Sequence, residues 1–389
     1  MTDLNVADHT VARASSRVLS GPNKLKLGLF GTNLSGGAGG VTLAEGPLTA
    51  ADFDEVRRVA LAADRAGIET MVPIARWKGF GENRPEGSAF WTRSFETMTW
   101  AGALLEATER LTIFSTCHVL LIHPIFAAKM GTTLDHISSG RWGLNVVAGW
   151  TGPEFTMYGL ELPEHVKRYR YADEWMTIVE RLWTEEEHFD HDGEFFKVVD
   201  GESLPKPVQD PYPLVMNAGS SGPGVEFAAK HANVIFINPQ GDADSIRATV
   251  EGIKAEAKKD GKDVGVWAVV HVVAGDTEKE AQDYVHYYAQ EKGDRVAAGR
   301  YADALTGADS SATKALADRH PKELIDLLMT GGGPRPVIGT DQQVVDNLKE
   351  LSDTGLDGLA FSFVDFEAGI QRYEEKLLPL MKEAGLRVE

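Results

Sequence analysis

The chain has 389 residues, with 39 Lys and Arg against 58 Asp and Glu for a net charge of −19, and 43% of its residues are hydrophobic. That composition is globular and excludes a disordered or fibrous chain, while the length holds one large α/β domain or two ordinary ones. The negative charge argues against non-specific binding to nucleic acid or an anionic membrane, yet leaves room for a local basic pocket around an anionic cofactor. The single cysteine, Cys117, has no partner for an internal disulfide, which fits a reducing cytosol. Residues 1–20 carry Arg13 and Arg17 without an apolar stretch, so they do not read as a signal peptide. No apolar run approaches the ~20 residues that cross a bilayer. A cytoplasmic protein is expected, with residues 1–20 a loose arm or an arm docked on a partner subunit, and residues 21–389 a single domain.

Short apolar runs then alternate with longer amphipathic ones. Residues 25–30 read as a strand and 50–66 as a helix, with Phe53, Val56, Val59, Ala60 and Ala63 on one face and Gly67 closing it. Between them Gly36, Gly37, Gly39 and Gly40 have no helix directly after them. They read as a flexible loop and not as the Gly-x-Gly-x-x-Gly turn of a doubly wound sheet. Strands are expected at 70–74, 111–116 and 142–147, separated by helices at 94–107, N-capped by Ser94, and 124–137, with Pro124 at its start. A long loop leads to a helix at 168–183. In the insertion at 187–198, Asp192-Gly193 between apolar runs marks a hairpin turn, and a solvated tip is favoured over a metal site for His188 and His191. Strands at 214–217, 234–237, 266–273 and 358–363 follow, with helices at 223–230, 242–259, 277–290 and 341–354. Residues 293–336 form a second insertion, rich in Ala, Asp and Gly, that is expected to cover one end as a lid. Eight strands with intervening helices, in a chain longer than the ~250 residues typical of the fold, predict a (β/α)8 TIM barrel with insertions.

In such a barrel the active site gathers at the C-terminal ends of the strands. Strand two runs into Ala75, Arg76, Trp77 and Lys78, and strand three ends at Thr116, Cys117 and His118. Strand four offers Asn145 and, beyond it, Trp150 and Glu154; strand five runs into Asn217-Ala-Gly-Ser-Ser-Gly222. There is no carboxylate pair suited to glycoside hydrolysis, no Gly-x-Ser-x-Gly elbow and no zinc-like Cys/His spacing, so a cofactor is expected to bring the reactivity. Gly219, Ser220 and Ser221 lie where a strand enters a helix, a turn whose N–H groups suit a phosphate, although an ordinary turn fits equally well. Arg168 and Tyr169 open the helix after strand four, where Arg pairs with a phosphate and Tyr stacks or donates; one more surface cation in Lys167-Arg-Tyr-Arg170 is the bland alternative. Asn145 needs a partner, ligand or backbone, and shares its strand face with Val147, opposite Trp142, Leu144 and Val146. His118 and His123 are candidate proton shuttles. Trp77, Phe80, Trp91, Trp150 and Phe236 are candidate substrate walls, or else structural core.

The run Ser138-Ser-Gly-Arg-Trp-Gly-Leu-Asn-Val-Val-Ala-Gly-Trp150, then Gly152-Pro-Glu-Phe155, Arg168-Tyr169, Val215-Met-Asn-Ala-Gly-Ser-Ser221 and Val337-Ile-Gly-Thr-Asp-Gln-Gln343, resembles the bacterial-luciferase-like flavin monooxygenases. The resemblance covers roughly residues 25–381 and is strongest to the enzymes of uracil breakdown, with dimethyl sulfone monooxygenases close behind. It implies FMN, used as FMNH2 supplied by a separate NAD(P)H:flavin reductase, and dioxygen as co-substrate; a homodimer or homotetramer is expected. It puts Ala75, Arg76, Asn145, Glu154, Arg168, Tyr169 and Ser221 at FMN-contacting positions, with Gly219 and Ser220 in the same turn. Thr116 and Asn145 fall beside the oxygen pocket. The relative has Lys where Arg76 stands, so charge is what carries over there. The relative lacks His118, which is expected to serve the particular substrate, with Trp77, Trp150 and Phe236 as further substrate contacts. The expected reaction is oxidation of a small planar heteroaromatic compound, with C–N cleavage as one form of it. Organosulfur oxygenation with C–S cleavage is the runner-up, followed by a deazaflavin-dependent dehydrogenase on the same barrel and a non-catalytic flavin-binding barrel.

Overall fold

The computed structural model describes residues 11–12, 16–82, 87–219, 222–239, 241–307 and 318–388. Eight parallel strands form a closed ring: β1 (Lys26–Phe30), β2 (Thr70–Val72), β3 (Thr112–His118), β4 (Trp142–Val147), β5 (Leu214–Asn217), β6 (Val234–Ile237), β7 (Gly265–Gly275) and β8 (Gly358–Ser362). Neighbours in sequence are neighbours in the sheet, and the β8–β1 pairing shuts the ring. The fold is a (β/α)8 barrel. Nearly every strand residue is buried, because helices cover the outside and side chains fill the inside. Val72, Phe114, Leu214, Val234, Trp267 and Ala360 pack in that interior together with Val18.

Val18 belongs to α1 (Arg17–Ser20), capped by the Ser16 hydroxyl. Where it is described, the end of the expected loose arm therefore packs against the barrel core. The outer layer runs through α2 (Phe53–Arg65), α3 (Thr97–Ala107), α4 (Pro124–Ile137), α5 (Gly152–Met157), α6 (His165–Thr184), α7 (Pro223–His231) and α8 (Ala243–Lys259). It continues through α9 (Glu278–Val285), α10 (Arg295–Thr306), α11 (Pro321–Gly331) and α12 (Asp341–Asp353). No helix among the described residues is long and apolar enough to cross a membrane.

Four local expectations change. Ser94 does not cap α3; the Glu96 carboxylate accepts from both Met98 and Thr99 N–H at 2.8 Å, while Ser94 Oγ donates to the Arg76 carbonyl. The longer, charged acceptor reaches two orphan donors of the first turn. The glycine-rich loop is not loose: Leu34 and Val41 are fully buried, and the Gly37 carbonyl accepts from Trp91 Nε1 at 2.6 Å. Gly36 and Gly37 sit at φ of 83° and 57°, which L side chains rarely adopt, so these glycines serve a tight packed turn. The long loop after β4 contains α5. A ninth parallel strand, Arg335–Thr340, pairs with residues 270–275 at the far end of β7; Pro336 and Gly339 within it mask its strand pattern. The hairpin of Phe189–Asp192 and Lys197–Gly201 forms as expected, with His188 paired to Asp200 and Glu202 and His191 to Glu174.

At the opposite end from the strand C-termini, Arg387 lies 2.7 Å from Glu69, both side chains fully buried. Arg387 also donates to the carbonyls of Leu25 and Gly67, and Glu69 accepts from Leu27 N–H and Asn23 Nδ2. Removing one charge strands the other without water. Arg387→Met is expected to cost about 3–5 kcal/mol, read from the urea midpoint, and the Arg387→Met/Glu69→Gln pair to recover part of it.

Candidate active site

At the mouth of the ring β3 and β4 set the geometry. Their register places Thr116 opposite Asn145 and His118 opposite Val147, so the same inward face carries a polar pair and, one layer further out, a histidine beside a valine. Thr116 Oγ1 donates to the Pro73 carbonyl at the end of β2 and accepts from Asn145 Nδ2 at 2.9 Å. Among the described residues, Asn145 Oδ1 is buried with no hydrogen-bond partner, and so is His118 Nδ1. Burial pushes the His118 pKa down to about 4, with the Arg76 charge adding to the shift and Glu154 opposing it, so the imidazole is neutral at physiological pH.

Arg76 projects from the segment after β2. Its Nη1 lies 3.1 Å from Glu154 Oε2 and 3.3 Å from Thr151 Oγ1. The guanidinium carbon sits 4.9 Å from the Trp150 ring centroid, 5.1 Å from Trp91 and 5.4 Å from Phe80. Glu154 Oε1 accepts from the backbone N–H of Trp77 and Lys78, which ties α5 to this segment. Tyr301, on α10, stacks on Phe80 with centroids 4.7 Å apart.

These groups surround a cavity of about 260 Å³ at the C-terminal end of the barrel. Ala75, Arg76, Thr116, His118, Asn145, Trp150 and Phe236, all singled out from sequence, line it together. Phe236 stacks on Phe30 at 5.2 Å. Trp77 does not line it: it is 38% exposed and meets Tyr158 edge-on. Glu154 also stays outside the lining, its oxygens committed to Arg76, Thr151 and the two backbone donors. Trp142 points to the helix layer, donating to Ser115 Oγ and meeting Trp183 edge-on. His123 caps α4 rather than flanking the site. Sequence reasoning did not name Ala38, Asn238, Tyr301 or Leu305, all cavity walls. The expected cover at 293–336 includes Tyr301, Leu305 and the wall residues 332–334; nothing local marked Asn238.

A second pole lies just outside the cavity. Ala218 lines the cavity and Gly219 follows it, with its N–H donating to Asn217 Oδ1 at 2.7 Å, so that donor is not bare as the sequence suggested. Ser220 and Ser221 fall outside the described residues. A Cβ on Gly224 would meet the Tyr169 hydroxyl at 2.9 Å, and Gly222, at φ 51°, precedes α7 without a side-chain cap. Arg168 is fully buried beside Tyr169 on the first turns of α6. His231 on α7 bonds Asp173 at 2.9 Å and Glu180 at 3.0 Å, both on α6, which fixes the helix carrying Arg168 and Tyr169 against the one after Gly222. A larger hollow of about 710 Å³ lies outside the barrel between α6, α7 and the hairpin. It is a solvent groove whose charges pair with each other, as in Arg170–Glu194 and Lys230–Asp173, so the mouth cavity is the better candidate.

Residues 30–358 match the luciferase-like monooxygenase model. This chain belongs to the luciferase-like monooxygenase family. It is 30% identical over 359 residues to a pyrimidine monooxygenase of Allorhizobium ampelinum, covering 89% of this chain and 94% of the relative. It is 28% identical to an FMNH2-dependent dimethylsulfone monooxygenase of Pseudomonas putida, covering 92% and 96%. The same barrel recurs in a riboflavin lyase solved with a modified FMN and riboflavin, at TM-score 0.83 and 23% identity over 94% and 93% of the two chains. It recurs again in an EDTA monooxygenase from Chelativorans, at TM-score 0.77 and 21% identity over 93% and 94%.

The mouth of this luciferase-like barrel has a pH signature. The folded chain keeps His118 neutral down to about pH 4, and buried His271 likewise, whereas the unfolded chain protonates both near 6.5. Proton uptake between those values favours the unfolded state, so stability falls as pH drops through the window. His118→Gln is expected to flatten that slope in urea midpoints taken from pH 7 to 4. An unchanged slope would mean that His118 titrates normally in the folded chain.

Proposed function

We propose that this chain is the oxygenase of a two-component system, taking FMNH2 from an NAD(P)H:flavin reductase and using O2 to oxidise a small planar heteroaromatic compound. The observation that carries the reading is the aromatic-walled cavity at the strand C-termini, with Asn145 Oδ1 buried and unpartnered beside Thr116. A buried orphan acceptor on a barrel strand is costly unless a ligand donor meets it. At the second pole, the glycine turn leaves α7 without a side-chain cap beside Tyr169 and Arg168. A flat ring at one end and a phosphate at the other is the shape of FMN, so the residues fit it.

When bound, reduced FMN supplies the electrons and the site of dioxygen activation. The chain's residues then have separate tasks. Thr116, fixed by the Pro73 carbonyl, and Asn145 hold a small reactant beside the ring. Phe236, Trp150 and the lid residue Tyr301 exclude water, and an aromatic mouth favours a flat heterocycle by stacking. Neutral His118, one layer outward from Thr116, has a nitrogen with which to accept or donate to the substrate. C–N cleavage, as for a pyrimidine, is one form the oxidation takes. Organosulfur oxygenation with C–S cleavage is the second reading, favoured by the 28% identity to the dimethylsulfone enzyme.

Oxygen uptake with FMN, a generic flavin reductase and panels of heterocycles and alkyl sulfones separates the two. Product formed from sulfones and not from heterocycles would reverse the ranking, and NADH oxidation by the pure chain would end the two-component reading. Thr116→Val and Asn145→Ala are expected to divert consumed oxygen from product to hydrogen peroxide, because a misplaced reactant loses its geometry; unchanged coupling in both would remove that role. Arg168→Ala is expected to weaken FMN binding by roughly 1.5–3 kcal/mol, the value of a charge-assisted contact, as read by fluorescence titration.

A further inference from the structure

Arg76 is the one formally charged side chain among the described residues that line the mouth cavity; His118, Thr116, Asn145, Asn238 and Tyr301 supply the polar groups there. Its charge is already answered by Glu154, 3.1 Å away, with both side chains almost wholly buried. Three rings pack around the guanidinium, and its Nε is buried with no hydrogen-bond partner among the described residues. Glu154 has no oxygen to spare, since Trp77 N–H, Lys78 N–H and Thr151 Oγ1 occupy what Arg76 leaves.

We propose that the Arg76–Glu154 pair makes this cavity selective for uncharged substrates that present an acceptor oxygen, a carbonyl or a sulfonyl, to the edge of the guanidinium, and that it rejects carboxylates and sulfonates. The proposal rests on reading the mouth cavity as the substrate pocket, adds a charge rule to it, and gives the Arg76 side chain to the substrate where the resemblance gives that position to FMN. A neutral acceptor loses little hydration on entry and gains a charge-assisted hydrogen bond. An anion loses far more hydration, and the nearby Glu154 carboxylate cancels the attraction that Arg76 offers in a poorly screened site. Arg suits this arrangement better than the Lys found in the relative, because a planar guanidinium stacks on rings and keeps its donors in its own plane. Glu154 is in this sense a positioning residue, setting the charge and orientation of Arg76 without touching the substrate.

The test is calorimetric binding to the full chain at saturating FMN, with two matched pairs of probes: uracil and orotate, dimethyl sulfone and methanesulfonate. Each anion is expected to bind at least roughly tenfold more weakly than its neutral counterpart. An Arg76→Met variant that still binds FMN, read by flavin fluorescence, should lose binding of the neutral probes. Glu154→Gln, of nearly the same size, should release the cation and bring the anions up to at least the affinity of their neutral counterparts. Equal binding of anions and neutrals by the unaltered chain would overturn the proposal. So would failure of both neutral probes to bind, or an unchanged order in a folded Glu154→Gln variant. The order in the unaltered chain decides the matter even if Glu154→Gln folds poorly. Because no turnover is read, a failed charge rule leaves the oxygenase reading to be judged by oxygen uptake alone.

Discussion

A charge buried away from water has to be answered by the protein, and at the mouth of this barrel that requirement holds three segments together. Arg76 after β2 reaches Glu154 on α5, and Glu154 returns two bonds to the backbone just beyond Arg76. The rings that pack around the guanidinium come from the same loop after β2, Phe80 and Trp91, and from the approach to α5, Trp150. Tyr301 of the insertion then stacks on Phe80. A buried ion pair is an uncertain source of stability, but losing either partner is costly, so it serves well as a device that fixes one arrangement of the mouth.

The β3–β4 pairing adds the second constraint. Because side chains alternate along a strand, placing Thr116 opposite Asn145 also decides that His118 and Val147 form the next layer and that Trp142 faces the helices. Thr116 uses its proton on the Pro73 carbonyl and its lone pair on Asn145 Nδ2, which leaves the Asn145 oxygen without a partner among the described residues. The polar groups of the mouth are thus fixed in orientation by bonds made behind them, while their free ends meet the cavity. The second pole follows the same logic: the His231 bonds to Asp173 and Glu180 join α6 to α7, so Arg168, Tyr169 and the Gly222 turn keep a set spacing.

Much of the fold was legible because it rests on local patterns. Strands such as Trp142–Val147 and Val234–Ile237 and the helix Pro124–Ile137 coincide with the expected bounds, each being a run whose periodicity and boundary residues agree. The strand Arg335–Thr340 was hidden because its pairing to β7 tolerates Pro336 and Gly339, which argue against a strand locally. The glycine loop read as loose because glycine signals freedom in an isolated chain, while here the same freedom lets Gly37 turn tightly beneath Trp91.

The sequence by itself determined the barrel, the end of it where a site is expected, and the shared strand face of Asn145 and Val147. Those conclusions need only alternation along a strand and the rule that places barrel sites at strand C-termini. Only the tertiary structure decided which charges meet. Glu154 stands 77 positions from Trp77, whose N–H it accepts, and Tyr301 reaches Phe80 from α10. Side chains that distant meet through packing, and the partner of a buried charge is set by whichever group the closed barrel brings within reach. That is why the sequence offers Glu154 as an FMN contact but does not show that its carboxylate is the counter-charge of Arg76.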